Sequence, residues 1–373
     1  MRDAFATCLI FLGATVAMAE IRVEQRAGDV FEASQPFSWP ESTARNSGLD
    51  PSKLEAAAEL AGASRSDSLL VLRHGKLVLE RYWNGKTADD VQQTYSGTKS
   101  FFVLLVGRAL QQGYLRDLDQ QVREIVPEMP AELAQLTFRN VLAMESGMLS
   151  DLTLEQKGSR AGKTQLEVAL ERSIVAEPFS LYHYNNTAYR LLFVALERAS
   201  GKTLEELTAD EIFAPLGMDC AYWMRLYAVD DGGLDRHTGY QSIRLTPRDY
   251  AKSAQIVVDG GMWNGERFLP RAFVEAAIQA PRPEVNPSFG LFWHLNAGSF
   301  YRDYAEPRRL ERKLVPGAPD DTFLMIGSQG QLVVGIPSLE LVVVRTGPDP
   351  GSSPYGEDNF FARLVRVIVE AAE

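Results

Sequence analysis

Residues 94–102 read Thr94-Tyr95-Ser96-Gly97-Thr98-Lys99-Ser100-Phe101-Phe102, and the chain runs on through Val103-Leu104-Leu105-Val106. From Gly97 to Gln112 the residues are apolar nearly all round, and Gly113 follows as a C-cap glycine. A helix of that kind belongs in a core, so an ammonium in its first turn needs a reason. One reason is a stem lying along the helix with its head in water. The other is chemical. Residues three apart share a helix face, which puts Lys99 beside Ser96. A hydroxyl at a helix start sits among free N–H groups and the positive end of the dipole. Apolar neighbours favour the uncharged amine, and a neutral lysine can take the serine proton. S-x-x-K is expected about once by chance in a chain this long and occurs once here. Its place at the opening of a buried helix is what gives it weight.

Around this stretch the patterns divide by region. Residues 20–65 read as an extended arm and a helix from Pro51 to Ala61, with Asp50 as N-cap and proline at the first helical position. Ser68 to Trp83 reads as a hairpin turning at Arg73-His74-Gly75-Lys76. Helical patterns follow at 139–144, 165–176, 187–200 and 204–212. Thr246-Pro247-Arg248-Asp249 starts another helix, with Arg248 and Asp249 read as capping and ion-pair residues. Gln331–Ile336 and Leu339–Arg345 read as strands joined at Pro337-Ser338, and Asn359 to Glu370 reads as a closing helix. Strands therefore lie towards both ends and helices in the middle. The expected fold class is α/β in the α+β sense: an antiparallel sheet lobe from 66–95 plus 241–373, flanked by helices, with a helical lobe from 96–240 inserted.

Composition bounds the function. The 373 residues are 45% hydrophobic and 23% charged, with a formal charge of -11. An acidic chain argues against nucleic acid or an anionic membrane as main partner. Residues 1–19 read as a secretory signal: an apolar run from Ala4 to Val16, then Ala17-Met18-Ala19 with cleavage before Glu20. The expectation is an exported protein, periplasmic or secreted, with no membrane span in the mature chain. Cys8 falls in that signal, which leaves Cys220 unable to form an intramolecular disulfide and expected as a small buried hydrophobe. No G-x-S-x-G elbow and no H-E-x-x-H motif is present. No metal and no cofactor are expected.

Two further motifs carry chemistry. Tyr184-Asn185-Asn186 lies just before the helix at 187–200. A tyrosine beside a lysine can act as acid and base, and an asparagine can donate to a carbonyl. Tyr82-Trp83-Asn84 has the same spacing but stands at a strand end before the serine, and is set aside. At 326–334, Ile-Gly-Ser-Gln-Gly-Gln-Leu-Val-Val, Gly327 and Gly330 permit close backbone approach at the mouth of a strand, or simply make a turn. His183 and the aromatics Tyr222, Trp223 and Trp293 are candidates for a pocket wall or for core. Glu145 is read as solvated.

In this order the motifs resemble those of the serine β-lactamase and penicillin-binding-protein superfamily, with S-x-x-K as its signature. Leu79–Gly85, Val141–Met148, Leu245–Lys252 and Gly260–Pro270 are similar to the class C-related branch of esterases and 6-aminohexanoate-dimer hydrolases. The resemblance covers residues 65–373 and implies a β-lactamase/transpeptidase-like fold. It further implies Ser96 as acylated nucleophile, Lys99 and Tyr184 as proton carriers, and Asn186 as partner of Lys99 or substrate. Ser328, Gly330 and Gln331 would bind substrate, with the N–H groups of Ser96 and Gln331 as oxyanion hole. Where that family usually has K-T-G or H-x-G, Ser328-Gln329-Gly330 stands here. The missing cation implies a small ester, amide or peptide-like substrate without a gripped carboxylate. β-Lactams, cell-wall peptides and a non-turnover sensor are the alternatives.

Overall fold

The computed structural model describes residues 25–27, 30–151, 163–226, 240–302, 308–351 and 359–372. The expected signal sequence lies outside them. In chain order the elements are β1 (Gln25–Ala27), α1 (Pro51–Ala63), β2 (Ser68–Arg73), β3 (Lys76–Tyr82), β4 (Gln92–Gln93), α2 (Thr98–Gln111), α3 (Phe138–Leu142), α4 (Gln165–Leu170), α5 (Asn186–Ser200) and α6 (Leu204–Thr208). After β5 (Tyr222–Leu226) and β6 (Tyr240–Leu245) come α7 (Pro247–Val258), the small ribbon β7 (Met262–Trp263) and β8 (Glu266–Arg267), and α8 (Arg271–Ala277). The chain closes with β9 (His294–Leu295), β10 (Tyr301–Arg302), β11 (Arg309–Leu310), β12 (Phe323–Gly327), β13 (Gln331–Ile336), β14 (Leu341–Thr346) and α9 (Phe360–Ala371).

The main sheet is antiparallel, in the order β3-β2-β14-β13-β12-β9, so strands from both chain ends interleave. Its central strands are apolar on both faces, because both faces are covered. Leu70, Leu72, Val333, Val342 and Val344 point to one core, shared with α2 and α7. Leu69, Val71, Leu332, Val334 and Val343 point to the other, shared with α1 and α9. The period-two alternation of a strand sorts them. Asp50 caps α1 by accepting from the Ser52 N–H at 2.7 Å, and Asn359 caps α9 by accepting from the Ala362 N–H at 2.8 Å. His74 is the left-handed turn residue (φ 54°) of the β2–β3 hairpin.

A second, four-stranded sheet runs β1-β5-β6-β4. This amends the helical reading of 96–240, since β5 falls within it. Its Trp223 and Met224 are buried and pair with Ile243 and Ser242 of β6. The helix expected over 165–176 stops at Leu170. Ile174 bridges Met148 instead, and the Val175 N–H bonds the Gly147 carbonyl at 2.8 Å. Cys220 is exposed rather than buried, while Trp223 and Trp293 are core. Among the described residues no helix is long and apolar enough to cross a membrane.

The two sheets meet at the stretch that opened the reading. Gln93 pairs with Arg244 of β6, and the Thr94 N–H and hydroxyl both donate to the Ile243 carbonyl, at 3.2 and 2.8 Å. The Ile243 N–H returns a bond to the Thr98 hydroxyl at 2.9 Å. The Tyr95–Gly97 turn is therefore fastened to β6 on one side and packs against β12 on the other.

Candidate active site

Ser96 is the middle residue of a 3-10 turn, Tyr95–Gly97, that runs into α2. Tyr95 has φ 49°, a left-handed backbone that costs a non-glycine residue about 1–2 kcal/mol. The surroundings hold it there. A Cβ on Gly97 would collide with the Tyr250 hydroxyl, and one on Gly327 would collide with the Thr94 carbonyl oxygen. Both glycines are thus required by close approach: α7 and the end of β12 press on the turn from two sides.

Lys99 is only 3% exposed, an unusual burial for a lysine. Its Nζ donates to Asn186 Oδ1 at 3.0 Å and lies 5.0 Å from the ring centre of Tyr184 and 4.6 Å from that of Tyr189. The 3-10 turn and the first turn of α2 put Ser96 and Lys99 on one side of the chain. Tyr189 follows Asn186 by three residues on the same face of α5. Its phenol is buried with no hydrogen-bond partner among the described residues, and burial holds its pKa well above the ordinary tyrosine value.

The loop that carries Tyr184 is pinned from beneath. The His183 N–H bonds the Met144 carbonyl at 2.8 Å, and the Phe179 N–H bonds the Glu145 carbonyl at 2.8 Å. Asn185 caps α5 through the Ala188 N–H at 2.9 Å and donates to the Met148 carbonyl at 2.8 Å. Segment 141–148 is therefore the floor under Tyr184 and Asn186. Glu145, read as solvated, is buried with one carboxyl oxygen lacking a partner, and burial pushes its pKa up to about 8. His183 is half-buried, and desolvation lowers its pKa.

Ser96, Lys99, Asn186 and Ser328 line one cleft of about 160 Å³, with Tyr95, Tyr189 and Arg190 among its other walls. Tyr184 is not one of the lining residues; its ring lies against the Lys99 amine, with Nζ 5.0 Å from the ring centre. Gly330 and Gln331 do not line the cleft. Gln331 is buried, and its amide bonds the backbone of Gly347, Nε2 to the carbonyl at 2.7 Å. Gln331 is paired across the ladder with Gly327, and the Ser328–Gly330 turn joins them. Ser328, the first residue of that turn, is the one of the three that reaches the cleft.

Sequence reasoning missed Tyr189, Arg190 and the β6 residues Tyr240, Gln241 and Ser242, which also line the cleft. The α5 pair was legible in principle, since 186, 189 and 190 share a helix face. The β6 residues needed the β4–β6 pairing. The strand end Phe323–Gly327 carries no cation, but Arg190 brings one from α5. Among the described residues no group of three or more His, Cys, Asp or Glu could hold a metal ion.

The sequence profile of the Beta-lactamase family matches residues 53–366. The chain belongs to that family. It is 24% identical over 303 residues to the 6-aminohexanoate-dimer hydrolase of Paenarthrobacter ureafaciens, covering 76% of this chain and 74% of the relative. Among solved structures, a candidate 6-aminohexanoate-dimer hydrolase from Bacillus anthracis superimposes with a TM-score of 0.71 at 18% identity, over 93% of this chain and 90% of that one. EstCE1, a hydrolase with promiscuous acyltransferase activity, gives 0.62 at 16% identity, over 86% and 98%. The expected β-lactamase/transpeptidase-like fold is the fold of this family member.

Proposed function

We propose that this Beta-lactamase-family enzyme hydrolyses an ester or amide through an acyl-enzyme on Ser96. The observation that carries the reading is the meeting of Ser96, Lys99, Asn186 and Ser328 on one cleft, with the Tyr184 ring against the Lys99 amine. The proton leaving Ser96 Oγ passes to the Lys99–Tyr184 pair as Oγ bonds to the substrate carbonyl carbon. The carbonyl electron pair moves onto its oxygen, and the reading assigns its stabilisation to backbone N–H groups of the Ser96 and Ser328 turns, which line the same cleft. Collapse breaks the bond to the leaving oxygen or nitrogen, and that atom takes the proton back. Water then repeats the sequence, giving one proton to the same pair, which returns it to Ser96 Oγ. Asn186 fixes the Lys99 amine throughout.

Neutral aryl esters are the first substrates to try, because β12 lacks a cation at its cleft end. Arg190 in the cleft wall favours a second reading, in which a carboxylate-bearing β-lactam or peptide is accepted. The relative named 6-aminohexanoate-dimer hydrolase supports amides as well as esters. We further propose export, on the strength of Ala17-Met18-Ala19; a secreted product whose mass begins at Glu20 supports it. Steady-state hydrolysis of p-nitrophenyl butyrate and of nitrocefin by wild type and Ser96→Ala tests the enzyme reading. Turnover of either reagent that vanishes in Ser96→Ala supports it, while a single burst without turnover points to a sensor. Undiminished turnover in Ser96→Ala would overturn the assignment of Ser96.

A further inference from the structure

Arg345 lies on β14, opposite Leu332 of β13 and Leu69 of β2, and is wholly buried. Its guanidinium donates to the Ser66 hydroxyl at 2.9 Å, to the carbonyls of Gly330 at 2.7, Gly347 at 3.1 and Pro348 at 2.9 Å, and to that of Ser64 at 3.1 Å. These acceptors are neutral and come from three separate segments. Burial lowers the arginine pKa to about 10, with Asp67 and Asp349 opposing the shift. A guanidinium is a costly filler for a sheet interior, and charge-assisted bonds to carbonyls offset that cost only while the segments stay put. Gln331 ties the same loop from the other side, Nε2 to the Gly347 carbonyl at 2.7 Å. Both side chains end on the Gly347 carbonyl, and Arg345 also holds the Gly330 carbonyl at the end of the Ser328–Gly330 turn, whose Gln329 stands at φ 62°.

We propose that Arg345 and Gln331 are positioning residues for the reaction: they clamp the β12–β13 turn so that Ser328 stays at the carbonyl-oxygen side of the cleft. The inference rests on Ser96 being the nucleophile. The four residues Ser328-Gln329-Gly330-Gln331 then divide by direction, Ser328 forward into the cleft and Gly330 and Gln331 backward onto the clamp. Neither clamp residue touches substrate. The loss on breaking the clamp therefore falls on the chemical step rather than on ground-state binding.

The test compares Arg345→Met, Arg345→Lys and Gln331→Met with wild type on p-nitrophenyl butyrate, after intact-mass labelling of wild-type Ser96 by a fluorophosphonate. An unlabelled Ser96 in wild type sinks the nucleophile reading and leaves the clamp without an object. With Ser96 labelled, Arg345→Met and Gln331→Met are expected to lose about 10- to 100-fold in kcat, with KM changed less than about threefold. Arg345→Lys, which keeps a cation on fewer carbonyls, recovers part of the loss. Rates are taken per folded molecule, well below each Tm. If Arg345→Met does not fold, Arg345→Lys and Gln331→Met decide by the same split. Folded variants with kcat within twofold of wild type, or with the whole loss in KM, overturn the proposal.

Discussion

The Lys99 amine donates to Asn186 Oδ1 at 3.0 Å, which ties the first turn of α2 to the first turn of α5. Two motifs 87 residues apart in the chain become one device through that bond. Lys99→Met keeps the stem and removes the amine, so kcat should fall by about 10²- to 10⁴-fold. Asn186→Ala leaves the amine but frees its direction, so it should cost less, about tenfold. Steady-state kinetics on one ester ranks them. An Asn186→Ala loss equal to or larger than that of Lys99→Met contradicts the assignment of roles.

Gly327 is where β12 presses on the Ser96 turn. In Gly327→Ala the added methyl meets the Thr94 carbonyl oxygen and comes near the Gly97 nitrogen. Neither is a flexible side-chain tip, so strand or turn must shift. Overpacking of this kind costs about 1–3 kcal/mol, and the shift moves Ser96. Thermal melting should show the destabilisation and fluorophosphonate labelling of Ser96 should slow. Wild-type values in both measurements would mean the contact is slack.

Glu145 supplies a pH dependence. Burial raises its carboxyl from 4.5 to about 8, with Arg282 opposing and Glu284 adding to the effect. The folded state then holds a proton that the unfolded chain releases above its ordinary value. This contribution to stability is complete below pH 4.5 and is lost as pH rises through about 8. Glu145→Gln cannot lose a proton. Its Tm, relative to wild type, should climb from pH 5 to pH 8.5, by about 2–4 °C for each kcal/mol involved. A difference that stays flat across that range, or falls, would contradict the buried neutral carboxyl.

Arg190 is a cation in the cleft wall that the motifs did not announce. If it meets a substrate carboxylate, Arg190→Gln lowers kcat/KM for a carboxylate-bearing ester more than for its neutral methyl ester, by about tenfold. Equal losses on the two esters would remove Arg190 from substrate recognition.

Much of the fold was legible because it rests on local signals. Asp50-Pro51, the Ser68–Arg73 strand with its apolar run Leu69–Leu72, the Gln331–Ile336 strand and the Asn359 cap all stand where their chemistry places them. β5 was not legible, because Tyr222–Leu226 is held by pairing with β6 across an intervening stretch of chain, and no single residue signals that partner. In the site, Lys99 was legible as a charge at the head of a greasy helix, and Asn186 through its spacing from Tyr184. The environment of Gln331 was not legible: its amide is taken up by the Gly347 backbone, a partner that only the folded sheet brings near. Glu145 looked like a loop carboxylate. Its burial comes from the packing of 141–148 beneath the Tyr184 loop, which no local pattern encodes.

The central claim is that Ser96 carries the acyl group. Intact mass, followed by peptide mapping after brief incubation with a fluorophosphonate and with a penicillin, addresses it most directly. The account predicts a single adduct on the peptide holding Ser96 with at least the fluorophosphonate, absent from Ser96→Ala and much slower in Lys99→Met. An adduct on another residue, or one that persists in Ser96→Ala, would contradict it.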